Sequence, residues 1–308
     1  MEMMKAVRVK RFGGPETITV QRIPKPTPHS GELLVRVEAA AVNPIDWKLR
    51  EGLFKDLALP FTPGADFCGV VERLGPGVEA FEKGDSVYGV ARGSMGADAE
   101  FVAAPQGSVA LRPRTLSPIE AACVPVVGLT AWQGLFTQGA LKAGQTVLIL
   151  GASGGVGSMA VQLAKLAGAR VLATAATENV ERVRGLGADQ VIDYKKQRVD
   201  EAAEDVDLCL DLVGGDLQKR GFLTVKLGGR LISTVQPPDE ALAASRGVMA
   251  RFLMMKPDAD QLRQLAVKID AGEIRVEVAK ILPFERAAEA EELNRRHGVE
   301  GKIVLRVQ

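Results

Sequence analysis

The chain has 308 residues, 46% of them hydrophobic and 25% charged, with a formal net charge of +1. That length exceeds one small core, so two domains are expected, and the apolar and charged fractions are ordinary for a soluble globular protein. A near-neutral balance without a basic or acidic run excludes nucleic acid and a charged membrane surface as expected partners.

The first residues, Met1-Glu-Met-Met-Lys5, lead into Ala-Val-Arg-Val without a hydrophobic signal core. No apolar stretch reaches the ~18–20 residues that span a bilayer, so a cytoplasmic enzyme is expected. Residues 5–10 and 17–23 alternate apolar and polar side chains and predict two strands joined by the Gly13-Gly14-Pro15 turn. Pro24, Pro26 and Pro28 read as an extended linker. Leu33–Ala41 predicts a strand that runs into a short helical turn, Asn43-Pro-Ile-Asp-Trp-Lys48. Further strands are expected at Asp66–Gly75, Ser86–Val90 and Ala99–Ala104, with Gly and Pro between them. Many short strands at close spacing predict an antiparallel β domain up to about residue 115.

The pattern then changes. Ser117-Pro118-Ile119-Glu120 has the form of a capped helix start with Pro at the first helical position. From Gln145 to about Lys256 short apolar strands alternate with helical stretches. The strands are expected at Thr146–Leu150, Arg170–Ala175, Gln190–Asp193, Val206–Val213, Arg230–Val235 and Gly247–Met255, and the helices near Gly157, Glu178 and Gly215. This is the βαβ rhythm of a doubly wound parallel sheet. Helices at Asp258–Ala271 and Glu285–Arg296 flank a strand at 274–281. A last strand, Gly301–Val307, is expected to rejoin the first domain. The expected divisions are therefore 1–118, 119–257 and 258–308.

The chemistry-bearing stretch is Thr146-Val-Leu-Ile-Leu-Gly-Ala-Ser-Gly-Gly-Val-Gly157. Val147–Leu150 shows no alternation and so reads as a strand buried on both faces. The glycines break it, and Val161, Leu163, Ala164 and Leu166 resume as the apolar stripe of a helix. Glycines there let backbone N–H groups approach a phosphate with no Cβ in the way, while the helix N-terminus adds roughly half a positive charge. Gly154, Gly155, Val156 and Gly157 are expected to form that cradle, with Ser153 either bonding the pyrophosphate or only shaping the turn. Cys68, Cys123 and Cys209 are far apart and form no C-x-x-C pair, and His29 and His297 lie at opposite ends; neither a disulfide framework nor a metal site is expected.

The stretch Gly144-Gln145-x-x-Leu148-x-x-x-Ala152-Ser153-Gly154-Gly155-x-Gly157-x-x-x-x-Gln162-x-x-Lys165 resembles the signature of the zinc-independent quinone oxidoreductases of the medium-chain dehydrogenase/reductase superfamily. Asn43-Pro-Ile-Asp46, Pro63-Gly64, Gly84-Asp-x-Val87, Gly128-Leu-Thr-Ala-Trp132, Leu186-Gly-Ala-Asp189 and Gly301-Lys-Ile-Val304 follow in family order, so the resemblance covers essentially the whole chain. It implies a GroES-like β-barrel catalytic domain interrupted by a Rossmann domain, with a cleft between them. Zinc-bearing relatives carry a cysteine where this chain has Asn43 and a His-Glu pair where it has Ala65-Asp66. The third ligand position falls near Val127, and no cysteine-rich lobe is present. No catalytic zinc is therefore expected.

A reductase without a metal needs an acceptor whose anion is delocalised, because only then can hydrogen-bond donors replace the Lewis acid. The expected reaction is NAD(P)H-dependent reduction of a quinone or other α,β-unsaturated carbonyl. By resemblance, Asn43 is expected to hold the nicotinamide ribose or the substrate oxygen. Lys48 would donate to the developing oxyanion or organise a protonating water, and Asp46 would orient Lys48 by an ion pair. The bland alternatives are that Asp46 only caps the turn and that Lys48 is solvated. Thr130 resembles the threonine facing the nicotinamide; buried bonding to its own helix is the alternative.

The second strand of the nucleotide domain ends Leu172-Ala-Thr174-Ala-Ala176 with no carboxylate for a ribose diol, which permits a 2′-phosphate. Tyr194 matches a family position beside that phosphate. Relatives that prefer NADPH often carry Arg or Lys where this chain has Glu178, with Arg182, Lys195 or Lys196 as substitutes. NADPH is expected, with NADH possible. An enoyl-thioester reductase is the enzymatic alternative, and a non-catalytic NADPH-binding sensor or structural protein the alternative of another class. The partner is a small-molecule substrate. The apolar stretch Gly247–Met255, as an edge strand, would support a homodimer.

Overall fold

A computed structural model describes residues 2–296 and 301–307. The chain divides into two compact units, residues 1–126 with 257–308, and residues 127–256. The first unit thus runs past the expected boundary at 118, because the helix that follows packs on the strands of the first unit. His297 lies outside the described residues.

The first unit opens with an antiparallel pair, β1 (Met3–Val9) and β2 (Ile18–Pro24). Then come β3 (Glu32–Ala41), α1 (Pro44–Arg50), β4 (Asp66–Leu74), β5 (Ser86–Val90), β6 (Phe101–Pro105) and β7 (Val109–Leu111). The three-residue β7 escaped sequence reading because it is too short to show alternation. Helix α2 (Pro118–Ala122) starts at Ser117, whose Oγ accepts from Glu120 N–H while Glu120 Oε2 accepts from Ser117 N–H. This reciprocal cap is the one its sequence predicts.

Helix α3 (Pro125–Trp132) leads into the second unit. There β8 (Thr146–Leu150), α4 (Gly155–Leu166), β9 (Arg170–Ala175), α5 (Val180–Gly185), β10 (Gln190–Asp193), α6 (Val199–Ala202), β11 (Val206–Asp211), α7 (Gly215–Thr224), β12 (Val225–Ser233), α8 (Glu240–Ser245) and β13 (Met249–Phe252) alternate. Their strands form one sheet in the order β10-β9-β8-β11-β12-β13, every neighbouring pair parallel. Sequence order reverses across β8 and β11, and the crevice beyond the carboxyl ends of such a sheet is where dinucleotides bind. Val147–Leu150 are wholly buried, as a central parallel strand requires. Strand β12 starts earlier than the expected Arg230, and Gly228-Gly229 lies within it beside a register shift against β11.

The chain returns to the first unit with α9 (Ala259–Asp270), β14 (Val278–Pro283), α10 (Ala287–Arg295) and β15 (Lys302–Arg306). Strand β14 falls a few residues later than the expected 274–281. Strand β15 pairs antiparallel with β3, completing the order β14-β15-β3-β4-β5-β7, with β6 on β3. The final strand therefore rejoins the first domain, and its core gathers Val35, Val37, Phe67, Val87, Ile303 and Leu305. Among the described residues no helix is long and apolar enough to cross a membrane.

Candidate active site

The glycine turn begins where β8 ends. Gly151 adopts a left-handed φ of +85°, and its N–H donates to Thr174 Oγ1 at 3.0 Å while Ala152 N–H donates to Thr174 O at 3.0 Å. Buried Thr174 on β9 thereby fixes the turn, a role its side chain performs from inside the unit. A Cβ on Gly157 would lie 2.3 Å from Gly151 O and 2.6 Å from Ala152 Cα, so no larger residue lets α4 pack this close. Gly154, the exposed N-cap, has nothing nearer than 3.7 Å in the direction of a side chain. The amides of Gly155, Val156 and Gly157 fall in the first turn of α4, where no intrahelical acceptor exists. Ser153 presents its carbonyl to Arg182 Nη1 at 3.1 Å. Thr130 is buried within α3.

The carboxyl ends of β9 and β10 carry a charged group. Tyr194 follows β10, its N–H donating to Ala175 O at 3.2 Å and its side chain 52% exposed. Lys195 Nζ donates to both Glu178 oxygens at 2.9 Å. That bond holds the Glu178 carboxyl below its ordinary range and raises the Lys195 ammonium. Asp193 accepts from Thr177 Oγ1 at 2.7 Å and pairs with Lys196. The carboxylate at Glu178 is thus matched by a cation seventeen residues on in the sequence.

In the first unit, α1 is entered through Asn43, whose N–H donates to Asp46 Oδ2 at 2.7 Å. Asp46 is therefore the capping carboxylate of the turn and makes no ion pair with Lys48, correcting that expectation. The reason is reach: in a helix a residue two positions on points to another face. Lys48 is half-buried, with its ammonium 5.6 Å from the Trp47 ring centroid. Both donor hydrogens of the buried Asn43 amide are committed, Nδ2 donating to Asp66 Oδ2 at 2.9 Å and to Ala41 O at 3.2 Å. Asn43 consequently has no side-chain N–H left to offer a substrate oxygen, contrary to one of its two expected roles.

Sequence reading missed the partners that impose this. Lys302 Nζ donates to Asn43 Oδ1 at 2.5 Å, Val42 O at 2.9 Å and Asp66 Oδ2 at 3.3 Å, and Asp66 Oδ1 accepts from Val126 N–H at 2.7 Å. Asp66 is fully buried; desolvation pushes its carboxyl up and Lys302 pulls it back. At the other end of α1, wholly buried Arg50 binds Glu291 at 2.6 Å, Gly13 O at 2.7 Å and Glu292 at 3.1 Å. Of these, Lys302 carried a signal only within the Gly301-Lys-Ile-Val304 family motif, without a role, and Asp66 only as a departure from the zinc-bearing pattern.

A second group of acids is less well supplied. Asp46 Oδ1 and Glu291 Oε1 are buried without a hydrogen-bond partner. Burial, with Glu291 adding, pushes the Asp98 carboxyl up to about 8, and burial offset by Arg50 leaves Glu291 at about 7. Asp46 is raised by burial first and by Asp98 second. Burial also pushes the Cys68 and Cys123 thiols up to about 12. Among the described residues no group of three or more His, Cys, Asp or Glu side chains could hold a metal ion.

Residues 29–114 match the family model described as the alcohol dehydrogenase GroES-like domain, and residues 186–305 the one described as zinc-binding dehydrogenase. The chain is 33% identical over 98% of its length to the NADPH-dependent alkenal/one oxidoreductase of Arabidopsis thaliana, covering 79% of that protein. It is 32% identical over 99% of its length to the quinone oxidoreductase of Rattus norvegicus, covering 98% of it. Among solved structures it resembles the quinone oxidoreductase from Coxiella burnetii with a TM-score of 0.93 at 32% identity, each chain covered in full (100%). A mycobacterial protein solved in complex with NADPH matches with a TM-score of 0.89 at 30% identity, over 99% of this chain and 100% of that one.

Proposed function

The chain belongs to the quinone oxidoreductase-like group of the medium-chain dehydrogenase/reductase superfamily, and from that premise we propose that it reduces a quinone or another α,β-unsaturated carbonyl with NADPH. The observation that carries this is the glycine turn. A Gly157 whose Cβ would strike the Gly151–Ala152 backbone, an open N-cap at Gly154, and first-turn amides without intrahelical acceptors at the positive end of a twelve-residue helix fit a pyrophosphate. Gly154, Gly155, Val156 and Gly157 would hold the diphosphate, with Ser153 and Thr174 shaping the turn and Thr130 on α3 facing the nicotinamide. Tyr194 and Lys195 would meet the 2′-phosphate, and Lys195 would offset Glu178.

When bound, the nicotinamide supplies a hydride. The chain's own part is to stabilise the anion left on the acceptor, which conjugation spreads to a quinol or enolate oxygen. Lys48, which pairs with no carboxylate among the described residues and lies over the Trp47 ring, is the donor for that oxygen. Asn43 and Asp46 serve by holding the turn. We propose that the reaction proceeds without zinc: Asn43, where zinc-bearing relatives carry a cysteine, and Asp66, where they carry the acid of the His-Glu pair, spend their polar atoms on each other, Lys302 and Val126. NADPH consumption with a panel of quinones and enones tests the reading; turnover of plain alcohols but of no such acceptor refutes it. Lys48→Met is expected to lower kcat about 100-fold with little change in NADPH affinity.

We also propose a homodimer joined along β13. Strand β13 ends the sheet beyond β12, and Met249, Phe252 and Met254 are exposed on or just after it. Sedimentation showing a monomer at micromolar concentration would overturn this. Three buried, unpaired cysteines support the cytoplasm as the compartment.

A further inference from the structure

Helix α1 is seven residues long. A helix that short does not hold its own geometry in water, because nucleation costs more than one or two turns return. Its placement must come from elsewhere, and, beside the bonds of Asn43 to Asp66 and of Arg50 to Gly13, most of its side-chain ties converge on one stretch far along the chain. At the N-terminal end Lys302 of β15 bonds Val42 O at 2.9 Å and Asn43 Oδ1 at 2.5 Å. In the middle Trp47 Nε1 donates to Asn294 Oδ1 of α10 at 3.2 Å. At the C-terminal end Arg50 meets Glu291 and Glu292 of α10 at 2.6 and 3.1 Å, and Arg295 lies 3.3 Å from Glu51.

We propose that α10 and β15 form a clamp that positions the α1 turn, and Lys48 on it, for hydride transfer. The inference rests on the reading of Lys48 as the oxyanion donor. Lys302, Asp66 and Asn294 are positioning residues and touch no substrate. A buried ion pair is commonly neutral for stability when replaced whole by uncharged residues, so its use here is to fix a geometry. The clamp also accounts for Asn43: an amide with both N–H groups committed is a hinge pin for the entry to α1.

The test is the pair of changes Asp66→Asn with Lys302→Met, which removes both charges together, and Asn294→Ala, which removes only the Trp47 bond. Three quantities are measured: kcat, the dissociation constant for NADPH, and the indole N–H resonance of Trp47, assigned with the help of Trp132→Phe. The double variant is expected to lower kcat about 10- to 100-fold, leave NADPH affinity within about 2-fold and move the Trp47 resonance. Asn294→Ala is expected to move the Trp47 resonance directly, since it removes the acceptor, and to lower kcat more weakly, about 3-fold; it carries the test alone should the double variant not fold. A moved Trp47 resonance with unchanged kcat overturns the positioning role, and an unmoved resonance overturns the clamp. A wild-type protein that binds NADPH but reduces no acceptor refutes the reductase reading, while the Trp47 resonance still decides the clamp.

Discussion

Each unit holds a lysine against a carboxylate, and the two pairs differ in almost everything but their chemistry. In the nucleotide unit Lys195 meets Glu178 at 2.9 Å, with side chains 49% and 58% exposed. In the first unit Lys302 lies 3.3 Å from Asp66, with side chains 7% and 0% exposed. Distance alone would rank the first pair as the stronger. Burial reverses the order: an exposed pair gains little over its hydrated ions, whereas a buried charge that loses its partner has no water to fall back on. Lys302 adds two further acceptors and Asp66 two further donors, so nothing in that network is left bare.

The largest effect should come from breaking the buried pair on one side only. Lys302→Met strands the Asp66 carboxylate and is expected to cost roughly 3–5 kcal/mol of stability. Adding Asp66→Asn should restore most of it, because an amide at Asp66 no longer needs a counter-charge. Urea unfolding of the single and double variants measures both. A double variant no more stable than the single one would show that packing, and not charge, is what Lys302 supplies.

The acids Asp46, Glu291 and Asp98 sharpen the contrast, since all are buried and the first two each keep an oxygen without a donor. Asp46 Oδ1 and Glu291 Oε1 lack partners, and Asp98 and Glu291 are raised to about 8 and about 7. A carboxyl whose folded pKa lies above its unfolded value binds more protons in the folded state, so stability falls as pH rises between the two values. Burial favours the neutral acid here: the contribution is complete below about pH 4, where unfolded carboxyls titrate, and is lost through pH 8 for Asp98. The melting temperature is expected to decline from pH 5 to pH 9, and Asp98→Asn should flatten that decline by about half. An unchanged slope in Asp98→Asn would assign the pH dependence elsewhere.

These networks also mark where sequence reading ended. The glycine turn was legible because every residue that builds it, from Leu150 to Thr174, lies within one βαβ unit, and Gly157 has a steric reason visible in the spacing alone. The cap at Ser117 and most strands of the nucleotide unit were legible for the same reason: their signals are local. The surroundings of Asn43 were not. Its partners Asp66 and Lys302 lie 23 and 259 residues away, and Arg50 finds Glu291 at a separation of 241. Nothing in periodicity says that an amide at the start of a helix will spend both N–H groups inward. Pairing of β15 with β3 brings Lys302 there, and that pairing is a property of the whole sheet.

The exposed pair should give the smallest effect on stability and yet a readable one on binding. With both ions in water, Lys195→Met is expected to leave the melting temperature unchanged. The same looseness frees the ammonium to swing from Glu178 to an anion at the carboxyl end of β9, where Tyr194 and the Glu178 turn are exposed. A charge-assisted bond to a 2′-phosphate would then be lost in the variant, weakening NADPH binding about 5- to 10-fold while leaving NADH unaffected. Glu178→Gln should act in the opposite direction, releasing Lys195 and tightening NADPH alone. Both effects should shrink as ionic strength rises, because these groups lie in solvent where salt screens them. Fluorescence titration of each nucleotide at two salt concentrations measures the ratio; equal losses for NADPH and NADH in Lys195→Met would remove Lys195 from the 2′ site and leave Glu178 without an explanation there.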